Sequence, residues 1–311
     1  MFSITGQRKT ALVLVLAAAS WGLGTVLSKY ALDEVPPLTL LPLQLAASVL
    51  VLTILVCRNG VPTEAGSPSP ILGRLGILNP GLAYTFTLLG LASISASFVV
   101  LIGAIEPVMI LVLAAVFLRE RVTPTMVALS GCALGGTLVV VYDPTSSGQA
   151  IGIIFAISGF ACCAVYTIIA RRWIGTADST LRVVAIQQAY AFALAIVLFG
   201  LVALIGGEAV LPSSLLGWGS AVASGVLYYA AAYWFYLTGL RSAPAFIAAA
   251  SFYLIPVFGV AGSFIFLGER FDLVQWLGVI VVVGAVIALA RAQAKATGQE
   301  LVETVPRSSV A

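Results

Sequence analysis

Residues 90–142 and 239–291 carry the same pattern twice, without a gap and 149 positions apart. Gly90-Leu91 recurs as Gly239-Leu240, and Pro107-Val108 as Pro256-Val257. Phe117-Leu118 recurs as Phe266-Leu267, Glu120-Arg121 as Glu269-Arg270, and Gly135 as Gly284. Both copies are apolar throughout. A duplicated apolar unit can be stacked in the same sense or upside down, and the number of bilayer crossings per copy decides which.

The chain is 61% hydrophobic and 9% charged, with a mean hydropathy of +1.11. Soluble domains carry about 25% charged residues, so this chain reads as a polytopic membrane protein. A bilayer-crossing helix needs about 20 mostly apolar residues. Ten runs meet that length: roughly 10–30, 37–57, 71–91, 94–118, 123–142, 150–170, 182–205, 215–239, 243–268 and 272–291. Short connections punctuate them, including Pro36-Pro37, the Gly/Pro/Ser-rich stretch 59–70, Asp143-Pro144 and Pro212-Ser213-Ser214. With ten spans and a cytoplasmic N-terminus, 13 of the 15 basic residues fall inside and only Lys29 and Arg270 outside, as the positive-inside rule requires. Nine or eleven spans would scatter that pattern, so both termini are expected to be cytoplasmic. The basic pair Arg8-Lys9 precedes a long apolar run with no cleavage site, which reads as a retained first span.

Ten spans in two copies give five per copy, and an odd number inverts the second copy. The expected fold class is therefore an all-α membrane protein. Two inverted five-helix repeats, 10–142 and 150–291, surround a central cavity, and a polar cytoplasmic tail, 292–311, is expected to be poorly ordered. A duplicated, proline-interrupted membrane unit is the usual build of a secondary transporter. The first two spans of each half align only weakly; Gln44 can be set against Gln187, and Lys29 against Arg172.

A span with an internal proline, closing on Phe-Leu-(Arg/Gly)-Glu-Arg and followed by a glycine-bearing apolar span, occurs twice: Phe117–Arg121 with Gly131 and Gly135, and Phe266–Arg270 with Gly278 and Gly284. Together with Trp21-Gly22 and Pro36-Pro37, this resembles the drug/metabolite transporter superfamily, EamA type, over essentially the whole chain. Within it the chain looks most like the bacterial aromatic amino-acid exporters. Gln44 stands where many such chains carry arginine. The resemblance implies ten helices around a central cavity. It also implies export of amino acids and related small metabolites across the bacterial inner membrane.

Glu106 is the acid placed near the middle of a span, where a carboxylate costs a few kcal/mol unless it is neutral, paired or wet. It precedes Pro107, which removes a helix hydrogen bond and kinks the chain. Two readings stand: a group facing the cavity that binds a proton or a substrate ammonium, or a neutral acid that holds the kink against a neighbouring helix. Pro107 and Pro256 occupy equivalent positions and are candidate hinges, against the plain fact that proline is common in membrane helices. The eighth span is aromatic, with Tyr228, Tyr229, Tyr233, Trp234 and Tyr236; Tyr229, Tyr233 and Tyr236 share one helical face. Trp21, Tyr84 and Tyr253 add aromatics from other spans. Aromatic walls with Gln44, Asn79, Gln187 and Gln188 suit a substrate with an apolar body and a zwitterionic head; interfacial belts are the alternative home for such rings. The small-residue series Ser20, Gly24, Ser28 and Gly131, Gly135 read as helix-packing seams. Thr123 and Asp272 read as helix caps. Glu120 and Glu269 read as partners for orphan amides or for the arginine that follows each.

Several classes are excluded. The chain has no histidine, which removes histidine-based acid–base catalysis, HExxH zinc sites and histidine haem ligation. No P-loop is present. The acids Asp33, Asp143, Asp178 and Asp272 lie at span ends or in loops, so there is no mid-membrane aspartyl pair. No enzyme, cofactor, metal site or disulfide framework is expected. The expected partners are the lipid bilayer and a small amino-acid or metabolite substrate, with no nucleic acid; protons moving through Glu106 are a candidate driving ion. The rival readings are a carrier of phosphorylated metabolites or nucleotide sugars, and a non-transporting membrane scaffold subunit.

Overall fold

The structure is a computed structural model, and it describes residues 4–59, 70–91, 102–103, 105–120, 122–141, 150–175, 179–206, 210–262, 265 and 272–304. No strand occurs among them. The helices are α1 Ile4–Leu32, α2 Pro37–Arg58, α3 Pro70–Gly76, α4 Ala83–Leu91, α5 Glu106–Leu113, α6 Pro124–Val141, α7 Ala150–Trp173, α8 Thr180–Leu204, α9 Leu215–Ser224, α10 Ala232–Ser242, α11 Ala245–Ala250, α12 Leu254–Gly262 and α13 Leu273–Thr304. A π turn, Ile77–Leu82, joins α3 to α4, and another, Gly225–Ala231, joins α9 to α10. A 3₁₀ turn, Ser251–Tyr253, joins α11 to α12. The described helices thus follow one another as ten rods.

Five stretches are long and apolar enough to cross a membrane: Arg8–Leu32, Pro37–Arg58, Ala150–Trp173, Thr180–Leu204 and Leu215–Ser242. Glu106–Leu118, Pro124–Val139, Ala245–Gly259 and Leu273–Leu289 are shorter apolar helices. Large apolar side chains such as Leu50, Val116, Ile154, Val197 and Ile280 point outward and are exposed. An apolar exterior of this extent suits lipid. α13 runs past Arg291 to Thr304 where the sequence suggested a poorly ordered tail; Ala292, Ala294, Lys295 and Ala296 are all strong helix formers.

The packing repeats itself. α2 lies along α8, α5 against α11, and α6 along α13, each joining rods five places apart. α1 packs on the α9–α10 rod and on α12, while α7 packs on α4 and on α5. α2 touches the π turn at 225–231, and α8 touches the one at 77–82. Exchanging each rod for the one five places along maps these principal neighbour pairs onto one another.

Small residues allow the close approaches. A Cβ on Gly76 would collide with the Gln187 backbone, and one on Gly225 with the Gln44 backbone. On α1, a Cβ on Gly22 would sit 2.7 Å from the Ile255 carbonyl oxygen, and one on Gly24 would sit 2.9 Å from Tyr228 Cβ. The α6–α13 seam uses Gly136, whose Cβ position lies 3.0 Å from the Gly278 carbonyl oxygen. Gly131 and Gly135, expected to form that seam, face open space instead; the neighbour lies one residue round the helix. The expected caps form: Thr123 Oγ1 accepts from the Met126 amide, and Asp272 and Gln275 exchange reciprocal bonds, the Gln275 amide donating to Asp272 Oδ1 at 2.7 Å. Arg119 closes the helix ending at Leu118 with φ 54°, a left-handed position of the kind glycine takes most easily; its repeat equivalent in the sequence is Gly268.

Candidate functional site

The aromatic residues of α9–α10 meet those of the first half in one cluster. The π turn at 225–231 rotates Tyr228 and Tyr229 relative to Tyr233 and Tyr236. Tyr228 reaches Tyr84, with hydroxyls 3.2 Å apart and ring centroids 5.5 Å apart. Tyr229 packs on Tyr84 at 5.4 Å. Trp21, from α1, sits edge-on to Tyr233 and Tyr236 at 5.5 Å each and to Phe252 at 5.3 Å. Such edge-to-face pairs are a preferred aromatic geometry. Tyr166 of α7 joins at 6.3 Å from Tyr233.

The polar atoms of the cluster are mostly satisfied. Asn79 precedes Pro80, which pushes its backbone to φ −147°, ψ 119°. This break in the third rod lets Asn79 Oδ1 accept a 2.6 Å bond from the Tyr233 hydroxyl. The Tyr166 hydroxyl donates to Gln187 Oε1 at 2.9 Å, and Tyr236 shares a 3.0 Å bond with Thr167. Two groups stand apart. Trp21 Nε1 is buried without a partner. Glu106, at the start of α5, is half-buried and makes no hydrogen bond or ion pair with any described residue. Its electrostatic neighbours are Cys163, Tyr228 and Tyr236.

Of the residues anticipated for a substrate cavity, Trp21, Asn79, Tyr84, Tyr229, Tyr233 and Glu106 gather here, with Gln187 at the edge. Others are committed elsewhere. Gln44 Nε2 donates to Ser28 Oγ and Ser224 Oγ, both at 2.8 Å, tying α1, α2 and α9 together. Gln187 Nε2 donates to the Leu72 carbonyl at 2.8 Å, and Gln188 Nε2 to the Tyr229 carbonyl at 3.1 Å. Tyr253 is 2% exposed, packs with Ala18, Ala133 and Val282, and leaves its hydroxyl unpartnered. Tyr166, Thr167 and Cys163 were not anticipated, because α7 reads as uniformly apolar.

The prolines mark breaks in the fourth and ninth rods. Pro107 sits in the first turn of α5, after a turn closed by an Ile105 amide to Ile102 carbonyl bond of 3.0 Å. Pro256 follows the 3₁₀ turn at 251–253. Residues 92–101 and 104, with the first part of the fourth run, lie outside the described residues, as do Glu269 and Arg270.

Two carboxylates bridge from the first half to helix starts in the second. Glu34 Oε2 accepts from the Ser213 and Ser214 amides at 2.8 and 3.0 Å, and the Ser214 hydroxyl donates to Oε1. Those bonds, the Ser214 hydroxyl first, hold the Glu34 carboxyl below the ordinary carboxylate range. Glu120 accepts from the Ala245 amide at 2.7 Å and the Phe246 amide at 3.3 Å. It caps α11, across the molecule, rather than the helix that follows it.

The sequence profile of the EamA-like transporter family matches this chain twice, over residues 8–142 and 150–291. The chain belongs to the EamA-like transporter family. The family is one of membrane transporters, in keeping with the apolar exterior of these helices. An uncharacterized transporter of Archaeoglobus fulgidus is 28% identical over 157 residues, half of this chain. The match spans only 55% of that relative's length. A protein of known crystal structure, 19% identical, superposes on the EamA-like chain with a TM-score of 0.77, covering 93% of this chain and 99% of the other. That likeness concerns the fold.

Proposed function

We propose that this protein exports amino acids, aromatic and other neutral ones, and related small metabolites across the bacterial inner membrane by alternating access. The ten rods are ten spans, arranged as two inverted five-helix repeats, 10–142 and 150–291, with both termini cytoplasmic and the substrate cavity between them. The observation that carries this reading is the tyrosine–tryptophan cluster, built from rods of both halves around Glu106, a carboxyl group with no protein partner among the described residues. Rings supply walls for an apolar side chain, and Glu106 supplies a group for an ammonium or a proton. The double family match and the exchangeable packing support the repeat.

In this topology Glu34 lies at the outer face and Glu120 at the inner face, so the two halves are tied once at each mouth. The turn at Ile105 and the 3₁₀ turn at 251–253, next to Pro107 and Pro256, are the hinges that let one mouth open while the other stays shut. Proteoliposomes loaded against labelled tryptophan, phenylalanine, threonine and methionine test the reading. Saturable flux of at least one is expected, and no flux of any would refute it. A phosphorylated substrate would need lysine or arginine at the site, and none lies among the described residues of the cluster. A scaffold subunit would have no use for an unpaired carboxylate there.

A further inference from the structure

We propose that the recognised end of the substrate is its ammonium group, and that the carboxylate of an amino acid is dispensable, so that arylalkyl amines and carboxyl-blocked amino acids are ligands of this site in their own right. This rests on reading the aromatic cluster as the substrate site. Among the described residues the cluster carries one formal charge, on Glu106. The arginines of the spans, Arg58, Arg74, Arg171 and Arg241, lie at helix ends. A substrate carboxylate would therefore enter a low-dielectric site with no cation to meet it, which is costly. Its available donors are neutral ones, Trp21 Nε1–H and the hydroxyl of Tyr228, which accepts from Tyr84; the Tyr233 and Tyr166 hydroxyls already donate to Asn79 and Gln187. An ammonium, by contrast, meets the Glu106 carboxylate, which no described residue pairs, and the faces of Tyr and Trp rings, which attract cations.

The same geometry makes the amine and the proton competitors for one carboxylate. The titratable groups around Glu106 are Cys163 from α7 and Tyr228 and Tyr236 from the α9–α10 rod. α11, which also packs on α5, contributes none. Amine binding thus requires Glu106 to be ionised and displaces its proton.

The test uses four probes of one skeleton on purified full-length protein: phenethylamine, phenylalanine amide, phenylalanine and 3-phenylpropionate. The amine and the amide should bind at least as tightly as phenylalanine, and phenylpropionate should not compete. Amine affinity should rise with pH as Glu106 ionises, over the range where the amine stays protonated, and binding should release protons in weak buffer. Glu106→Gln should weaken the amine about tenfold or more, the size of a lost charged contact, and remove the pH dependence. Phenylpropionate binding as well as phenethylamine, or an unchanged pH profile in Glu106→Gln, overturns the proposal. The wild-type series decides alone should the variant fail to fold. Phenylalanine flux without amine preference sinks this inference and leaves the export reading standing. Amine binding with no flux of any amino acid does the reverse.

Discussion

At the scale of single residues, the Tyr233 hydroxyl on Asn79 Oδ1 and the Glu106 carboxyl beside Cys163, Tyr228 and Tyr236 mark the centre of the cluster. Glu106 stood out because a mid-span acid is rare, and Trp21, Tyr84 and Tyr233 because aromatics buried in a span need a polar partner. Gln44, Gln187 and Gln188 carried the same signal, yet their amides tie helices together; hydrogen-bonding capacity alone does not tell glue from ligand. Glu34 was passed over with the other acids at span ends, although Ser213 and Ser214 follow Pro212 on the facing loop. Two expectations belong here. Glu106→Gln should lower flux about tenfold or more, consistent with loss of a charged contact of about 1.5–3 kcal/mol, while the protein still elutes as one sharp peak in detergent. Tyr233→Phe removes the bond to Asn79. Interhelical bonds in membranes average about 0.6 kcal/mol, so thermal stability should fall only slightly; a collapse of the fold would mean that bond does far more.

The elements show why the breaks inside the third and eighth rods escaped the sequence. Their π turns, Ile77–Leu82 and Gly225–Ala231, lie at corresponding positions 149 residues apart. Only the first contains a proline, so no shared residue announced them. What they share is Gly76 and Gly225, each pressed on the backbone of the opposite half. Gly76→Ala or Gly225→Ala should abolish folded protein, since the added Cβ collides with main chain. Gly131→Ala and Gly135→Ala meet nothing within 4 Å and should be neutral or stabilising, by up to about 1 kcal/mol each from helix propensity. Expression and melting in detergent separate the two pairs.

The bridging carboxylates belong to the same scale. Glu120→Ala leaves the Ala245 and Phe246 amides uncapped and should cost about 1 kcal/mol, opening the inner mouth. Glu34, whose carboxyl is held below its ordinary value, contributes stability that is present above that ordinary value and is lost as pH falls through the lowered one. The outer tie should therefore hold at neutral pH and release only in acid. Labelling of a cysteine placed at Ser213 should rise on acidification, and that rise should vanish in Glu34→Ala. An acid-independent profile in the parent protein would remove Glu34 from the outer closure.

For the whole molecule, the sequence displayed the duplication over 90–142 and 239–291 and, through its charges, a count of ten. It displayed the equivalence of the earlier rods only weakly, through Gln44 against Gln187 and Lys29 against Arg172, because lipid-facing positions accept any apolar residue and identity is lost while packing is kept. The contacts and the family match extend the correspondence to both halves, and inversion is the part of the account that everything else needs. It is tested by replacing Cys57, Cys132, Cys162 and Cys163 with serine, then placing one cysteine at Arg119 or at its repeat equivalent Gly268. A membrane-impermeant maleimide applied to intact cells should label the cysteine at 268 and spare the one at 119 until the membrane is opened. Both sites labelled from the same side would contradict the inverted arrangement and the transport route built on it.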